Sequence, residues 1–311
     1  MYTHSTEPFG SFEKHTIANE SGDAFMVVPA FGANLLDLQF SGISVIEGFK
    51  TPEELVEIAW GKSIILFPFP NRLRDGRYVH EGKTYQFPIN NADTGNAIHG
   101  FSNNVKMEVT NVETTENEGK LTCSYTHDGS HEGYPFRFAF NIAFILRGAN
   151  LDVEMALTNE DSTTIPVGLG WHPYFRLSEK LDDTFLQMPD CQLVEIDERM
   201  IPTGEKSDFM DFQTTTQIRD GFLDNGFYIK NQTQNAEVIL SSNVGKLTCW
   251  QETGAGKWNF VQVFTPPHRM SIAVEPMTCN VDAFNNKDGL TILKPNETLQ
   301  GRFGVRFEKI G

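Results

Sequence analysis

The residues of this chain with the capacity for chemistry lie far apart, in four polar signatures set between strand-like segments. These are FPFPNRLRDGRY at 67–78, NAIHGF at 96–101, GLGWHPYF at 168–175 and AVEPMTCNVDAFN at 273–285. Among them they hold Arg72, His99, His172 and Glu275. Groups so distant act together only if a fold converges them. A carboxylate and an imidazole suit metal-free acid–base work, because an imidazole titrates near neutral pH and can give up a proton and recover it. An arginine adds a fixed fork of donors for hydroxyls or for charge developing on an oxygen. The combination points to an enzyme.

Each of these residues also has an ordinary reading. Glu275 follows the alternating Ser271–Val274 run and precedes Pro276, which places it at a strand end, where glutamates are commonly solvated. His172 among Trp171, Pro173, Tyr174 and Phe175 could be a core histidine satisfied by a carbonyl. His99 could be a loop histidine before Gly100, and Arg72 a surface arginine before the Asp75-Gly76 turn.

The elements that must position them read as strands. Phe136, Phe138, Phe140, Ile142 and Phe144 alternate with smaller or polar residues. Leu151, Val153, Met155 and Leu157 do the same, with Asp152 and Glu154 outward, and so do Leu121, Cys123, Tyr125 and Phe303, Val305, Phe307. Asp75-Gly76, Glu81-Gly82, Asp128-Gly129 and Asn225-Gly226 read as turns between strands. Thr51-Pro52-Glu53-Glu54 has the cap, first-turn proline and acidic first turn of a helix, which predicts one short helix near 52–59. With no linker or low-complexity run, residues 1–311 read as one domain, an all-β, large antiparallel sandwich with few short helices.

Composition narrows the function. Lys+Arg 25 against Asp+Glu 41 gives a net charge of −16, which repels phosphate backbones and anionic membranes, so no nucleic-acid partner is expected. Cys123, Cys191, Cys249 and Cys279 lack CxxC spacing and read as free thiols. No stretch reaches the roughly 18 apolar residues of a membrane span, and the N-terminus lacks the pattern of a secretory signal, so the expected compartment is the cytoplasm. Gly168-Leu169-Gly170 lacks the third glycine of a dinucleotide fingerprint, and His127 and His131 lie across a turn, so no cofactor and no metal is assigned.

The four signatures, in this order and at these intervals, resemble the aldose 1-epimerase (galactose mutarotase) family from about Pro29 to Phe307. The resemblance implies a two-sheet supersandwich with its site in a cleft on one sheet. It also implies that α and β anomers of a free aldose are interconverted by acid–base ring opening and reclosure. Glu275 matches the family's catalytic base, His172 its catalytic acid and His99 its second active-site histidine. Asn71 and Arg72 match its substrate-binding pair. Asp224 falls where the family has a sugar-binding aspartate, although Asp224-Asn225-Gly226 reads equally as a hairpin turn. Met277 stands where better-known members place a glutamine two residues after the glutamate, which leaves the sugar open. The implied partner is a small-molecule sugar, and a monomer or homodimer is expected. Two rivals remain. One is a hexose-6-phosphate 1-epimerase, whose phosphate Arg72, Arg74, Arg77 and Arg176 would hold. The other is a carbohydrate-binding or sensor protein without activity.

Overall fold

The computed structural model describes residues 1–310. Two large antiparallel sheets dominate it. A nine-stranded sheet runs in the order Glu108–Thr114, Gly119–His127, Phe138–Leu146, Asn150–Asn159, Thr298–Lys309, Gly245–Gln251, Ala236–Ser241, Phe185–Gln187 and Thr216–Gln217. An eight-stranded sheet runs Pro202–Asp208, Cys191–Ile196, Asp224–Ile229, Phe260–Phe264, Ile272–Met277, Gly170–Trp171 and Ile65–Leu66, and Tyr174–Phe175 also pairs with Ile272–Met277. Strands within 2–44 form a further five-stranded meander, a layer that hydrophobic alternation alone does not separate.

The period-two reading holds in the nine-stranded sheet. Phe138, Phe140, Ile142 and Phe144 are all fully buried, and the register sets Ile142 opposite Met155 and Phe144 opposite Val153. Val153 in turn faces Phe303, and Leu151 faces Val305. This apolar face is shared between the other two sheets. Phe25 and Phe40 of the N-terminal meander lie 5.7 and 5.8 Å from Phe144 and Phe307, while Trp171 of the eight-stranded sheet stacks on Phe303 at 5.4 Å. Phe67 joins the first signature segment to this core, its ring 4.6 Å from Phe140.

The helix forms where the cap predicts it, over Pro52–Glu57, with Thr51 Oγ1 accepting from the Glu54 amide. It ends two residues early because Ile58 turns into the left-handed region. Glu81-Gly82 makes the expected two-residue turn between Arg77–His80 and Lys83–Gln86, both residues at positive φ. Asn225-Gly226 does not turn. Both lie inside the strand Asp224–Ile229, opposite Val263 and Gln262. Glycine is used there for space: a Cβ on Gly226 would come 3.3 Å from the Gln262 side-chain oxygen. Among the described residues no helix is long and apolar enough to cross a membrane.

Phe140 fills the junction between the large sheets. Phe140→Ala should therefore lower the free energy of unfolding by about 3–5 kcal/mol, read as a shift in the urea midpoint. A loss below about 1 kcal/mol would show that this contact does not carry the core.

Candidate active site

The eight-stranded sheet assembles the reactive groups by register. Tyr174 pairs with Ala273 and Gly170 with Met277. In the register these pairs share, His172 falls opposite Glu275. Glu275 is also paired with Gln262, and Gln262 with Gly226. Paired residues of an antiparallel ladder project from the same face, so Gly226, Gln262, Glu275 and His172 form one row across four strands. The neighbouring row on that face is Asp224, Phe264, Ala273 and Tyr174. Pro173 and Pro276 withdraw two amide donors from the ladder beside the His172–Glu275 pair, so the strand pairing is interrupted there while the register continues.

His172 Nε2 and Glu275 Oε1 are 3.2 Å apart, and both side chains are almost inaccessible. Glu275 is thus a buried residue inside Ile272–Met277, in contrast to the solvated strand end that Pro276 suggests. The Tyr174 ring lies parallel to His172 at 5.0 Å and donates its hydroxyl to the Trp60 carbonyl at 2.8 Å, which fixes the imidazole plane from below. Gln262 Nε2 donates to Asp224 Oδ1 at 2.9 Å. Asp224 is therefore a strand residue of the site face, and its turn reading falls with that of Asn225-Gly226.

The first and second signatures supply the walls. Arg72–Leu73 pairs with Ala97–Ile98, and the His99 amide donates to the Asn71 carbonyl at 2.8 Å. Asn71 and His99 both hold left-handed backbone, φ 54° and 66°, which costs roughly 1–2 kcal/mol per residue. Such local strain gathers at working sites. Gly100 makes this arrangement possible: a Cβ there would lie 2.1 Å from the Phe67 carbonyl oxygen. Asn71 Oδ1 accepts from Arg72 Nη1 at 3.1 Å and from the Arg72 amide at 2.9 Å, so the guanidinium is aimed by its neighbour. The His99 ring meets that of His172 edge to face at 5.2 Å. Glu275, His172 and Gln262 form a buried floor, while Arg72, His99 and Asp224 are partly accessible above it.

Electrostatics follow from this layering. Burial holds the Glu275 carboxyl well above the ordinary range, the Asp224 charge adds to the effect, and the Arg72 charge opposes it. Burial depresses the His172 pKa. Burial also lowers His99 far below a free imidazole, helped by His172 and Arg72. Both members of the Glu275–His172 pair thus resist charging, and they are close enough to share one proton as a coupled unit. Four polar atoms here have no hydrogen-bond partner among the described residues: Glu275 Oε2, His172 Nδ1, His99 Nδ1 and Arg72 Nε. Buried polar atoms are normally satisfied, and four unmet ones in a single cleft suit a ligand rich in hydroxyls.

All six residues singled out from sequence therefore lie about one cleft. Gln262 is the member that sequence reasoning misses. Its signal is a lone amide in the apolar strand Phe260–Phe264, on the face set by Glu275. Met277 is fully buried opposite Phe260, so the amide of this face comes from the next strand over. The arginines proposed for a phosphate disperse: Arg74 pairs with Asp197, Arg176 Nε donates to the Ser178 carbonyl, and Arg77 is exposed. His127 and His131 pack on Phe101, and among the described residues no group of three His, Cys, Asp or Glu is placed to hold a metal ion.

A deep antiparallel sandwich with a buried carboxyl and imidazole side by side on the face of one sheet is built for proton transfer. The sequence profile described as Aldose 1-epimerase matches residues 13–306, and the chain belongs to that family of isomerases. An uncharacterized protein of Escherichia coli K12, YihR, is 29% identical over 94% of both chains. The galactose mutarotase of Rattus norvegicus is 28% identical over 54% of this chain and 48% of its own. Among solved structures, a galactose mutarotase-like protein from Clostridium acetobutylicum superposes with a TM-score of 0.89 at 19% identity, covering 99% of each chain. Galactose 1-epimerase from Lactobacillus acidophilus NCFM gives 0.85 at 19% identity, over 100% of this chain and 99% of its own. The fold is that of the galactose mutarotases.

A carboxyl whose pKa is raised on folding contributes stability that is present below the unfolded carboxylate range and is lost as pH rises through the folded value. Glu275→Gln removes that loss. Calorimetry should find the variant's Tm at or above wild type at pH 8, with the advantage shrinking towards pH 4. A variant that instead becomes relatively weaker as pH rises would contradict the raised Glu275 pKa.

Proposed function

We propose that this protein is an aldose 1-epimerase that interconverts the α and β anomers of a free aldose, with Glu275 as base and His172 as acid. The observation that carries the proposal is the buried pair 3.2 Å apart in a sheet row, among polar atoms left without partners. In the bound sugar Glu275 takes the proton of the C1 hydroxyl while His172 gives one to the ring oxygen, and the C1–O5 bond breaks to leave an aldehyde. Rotation about C1–C2 presents the other face of the carbonyl. On closure His172 recovers the proton from the O5 hydroxyl and Glu275 returns one to O1, so the pair ends as it began.

The remaining residues position the sugar. His99, held neutral by burial, offers an N–H to the ring oxygen or a hydroxyl beside it. Arg72, aimed by Asn71, stabilises the carboxylate form of Glu275 and the charge gathering on oxygen. Asp224 and Gln262 hold hydroxyls at the far end of the floor. The rat relative is a galactose mutarotase and a Streptococcus thermophilus relative is an aldose 1-epimerase, which supports a free sugar as the ligand. The dispersal of Arg74, Arg77 and Arg176 favours it over a sugar phosphate, and an acid–base pair is not needed for binding alone. We place the protein in the cytoplasm, acting as one domain over residues 1–311.

Polarimetry of freshly dissolved α-D-glucose and α-D-galactose tests the reading. Mutarotation should accelerate with the wild-type protein. Glu275→Gln should abolish the acceleration while sugar binding survives, and His172→Asn should lower kcat by about 10²–10⁴-fold. Wild-type rates in both variants would overturn the assignment.

Because the pair works with one proton, kcat/KM should follow a bell in pH. Its acid limb, reporting the second proton, should lie below the ordinary imidazole range. Its alkaline limb, reporting loss of the shared proton, should lie above the ordinary carboxylate range. An acid limb at a free imidazole's value would show that His172 is not desolvated in the working enzyme.

A further inference from the structure

On the other side of Tyr174 lies a second group of unusual side chains that the anomerisation chemistry does not use. Trp60 is 49% exposed and presents an accessible amphipathic ring. It holds left-handed backbone at φ 61°, in a stretch where Ile58 at 47° and Ser63 at 57° do the same. The ring packs 6.2 Å from both Phe264 and His268. Phe264 belongs to the second row of the site face, opposite Asp224, and meets Tyr174 edge to face over Ala273. Trp60 is thus tied to the catalytic pair through Tyr174, whose hydroxyl it receives and whose ring supports His172.

Polar groups lie beside this ring. Lys62 Nζ and Glu47 Oε1 are paired at 2.6 Å with both side chains mostly buried, and His268 Nε2 stands 3.9 Å from Glu47 Oε2. The Glu47 amide donates to the Tyr174 carbonyl, which fixes the cluster to the same strand that carries His172. His268 Nε2 has no hydrogen-bond partner among the described residues, while the fully buried Ser271 hydrogen-bonds the Glu47 carboxylate from behind. An accessible indole beside a charged pair and an unpartnered imidazole nitrogen matches the two faces of a sugar unit, apolar C–H on one side and hydroxyls around the edge. An anionic substituent fits less well, because the Lys62 charge is already neutralised by Glu47.

We propose that Trp60, with Glu47, Lys62 and His268, forms a second carbohydrate subsite next to the anomerisation site, and that the preferred substrate is the reducing end of a disaccharide or longer saccharide. The reducing unit lies over Glu275 and His172, and the next unit stacks on Trp60 and hydrogen-bonds the Glu47–Lys62 pair. This deepens the epimerase reading and rests on it for the reaction.

The test compares kcat/KM for mutarotation of maltose, cellobiose and isomaltose with that for glucose, which is the reducing unit of all three. At least one disaccharide should exceed glucose by about tenfold, mainly through KM, and Trp60→Ala should reduce the disaccharide-to-glucose ratio by about tenfold. Glu47→Gln should lower the same ratio. No disaccharide above glucose, or a ratio unmoved by Trp60→Ala, would overturn the subsite while leaving the epimerase intact. If no sugar is turned over, the epimerase reading fails separately, and titration of the Glu275→Gln protein with the same disaccharides decides the subsite. A saturable change in tryptophan fluorescence that disappears in Trp60→Phe supports it, and no change with any of the three overturns it.

Discussion

The site depends on one constraint, the burial of a carboxyl against an imidazole on the face of a sheet. Moving an ionised carboxylate out of water is expensive, and the usual outcome is that the group neutralises or finds a partner. Glu275 has His172 at 3.2 Å and the field of Arg72, so neither a bare charge nor an inert acid is favoured. Two groups of altered basicity thus lie within reach of one proton, the arrangement that acid–base chemistry requires. Arg72, His99, Asp224 and Gln262 gather around this pair.

The balance requires positional accuracy, and the ladder provides it. Two strands with a common register place His172 opposite Glu275, and the next strand places Gln262 beside them. A slip of one residue would send every one of these side chains to the opposite face. The fully buried aromatics of the nine-stranded sheet, together with the Trp171–Phe303 contact behind the site, resist such a slip by making one face of each strand obligatory. Catalytic geometry and core packing are therefore set by the same alternation.

Much of this is legible in the sequence. The strands were visible because burial on one face imprints a period of two, as in Phe138–Leu146, and the helix because Thr51 and Pro52 act locally. The signature residues could be named because the family resemblance supplied the convergence that spacing cannot. What remained hidden is non-local. Asn225-Gly226 has turn chemistry, yet pairing with Phe260–Phe264 overrides it. Gln262 reads as a flaw in an apolar strand until its cross-strand neighbours are known. Glu275 reads as solvated because Pro276 looks like a terminator, whereas the ladder continues through it to Met277. Trp60 carries no local sign of exposure, since its setting depends on left-handed backbone that sequence does not announce.

The separation of floor from walls bears on how such a protein can change over generations. Glu275 and Gln262 are locked in paired strands and His172 is held in register between two, where substitution disturbs register and packing together. Asn71, Arg72 and His99 stand on two-residue strands or the segments beside them, where a new side chain alters the cleft with few ladder bonds at stake. Variation can accumulate in the rim while the buried pair stays fixed. Descendants of one ancestor could thus diverge in the saccharide they accept long before they diverge in what they do to it.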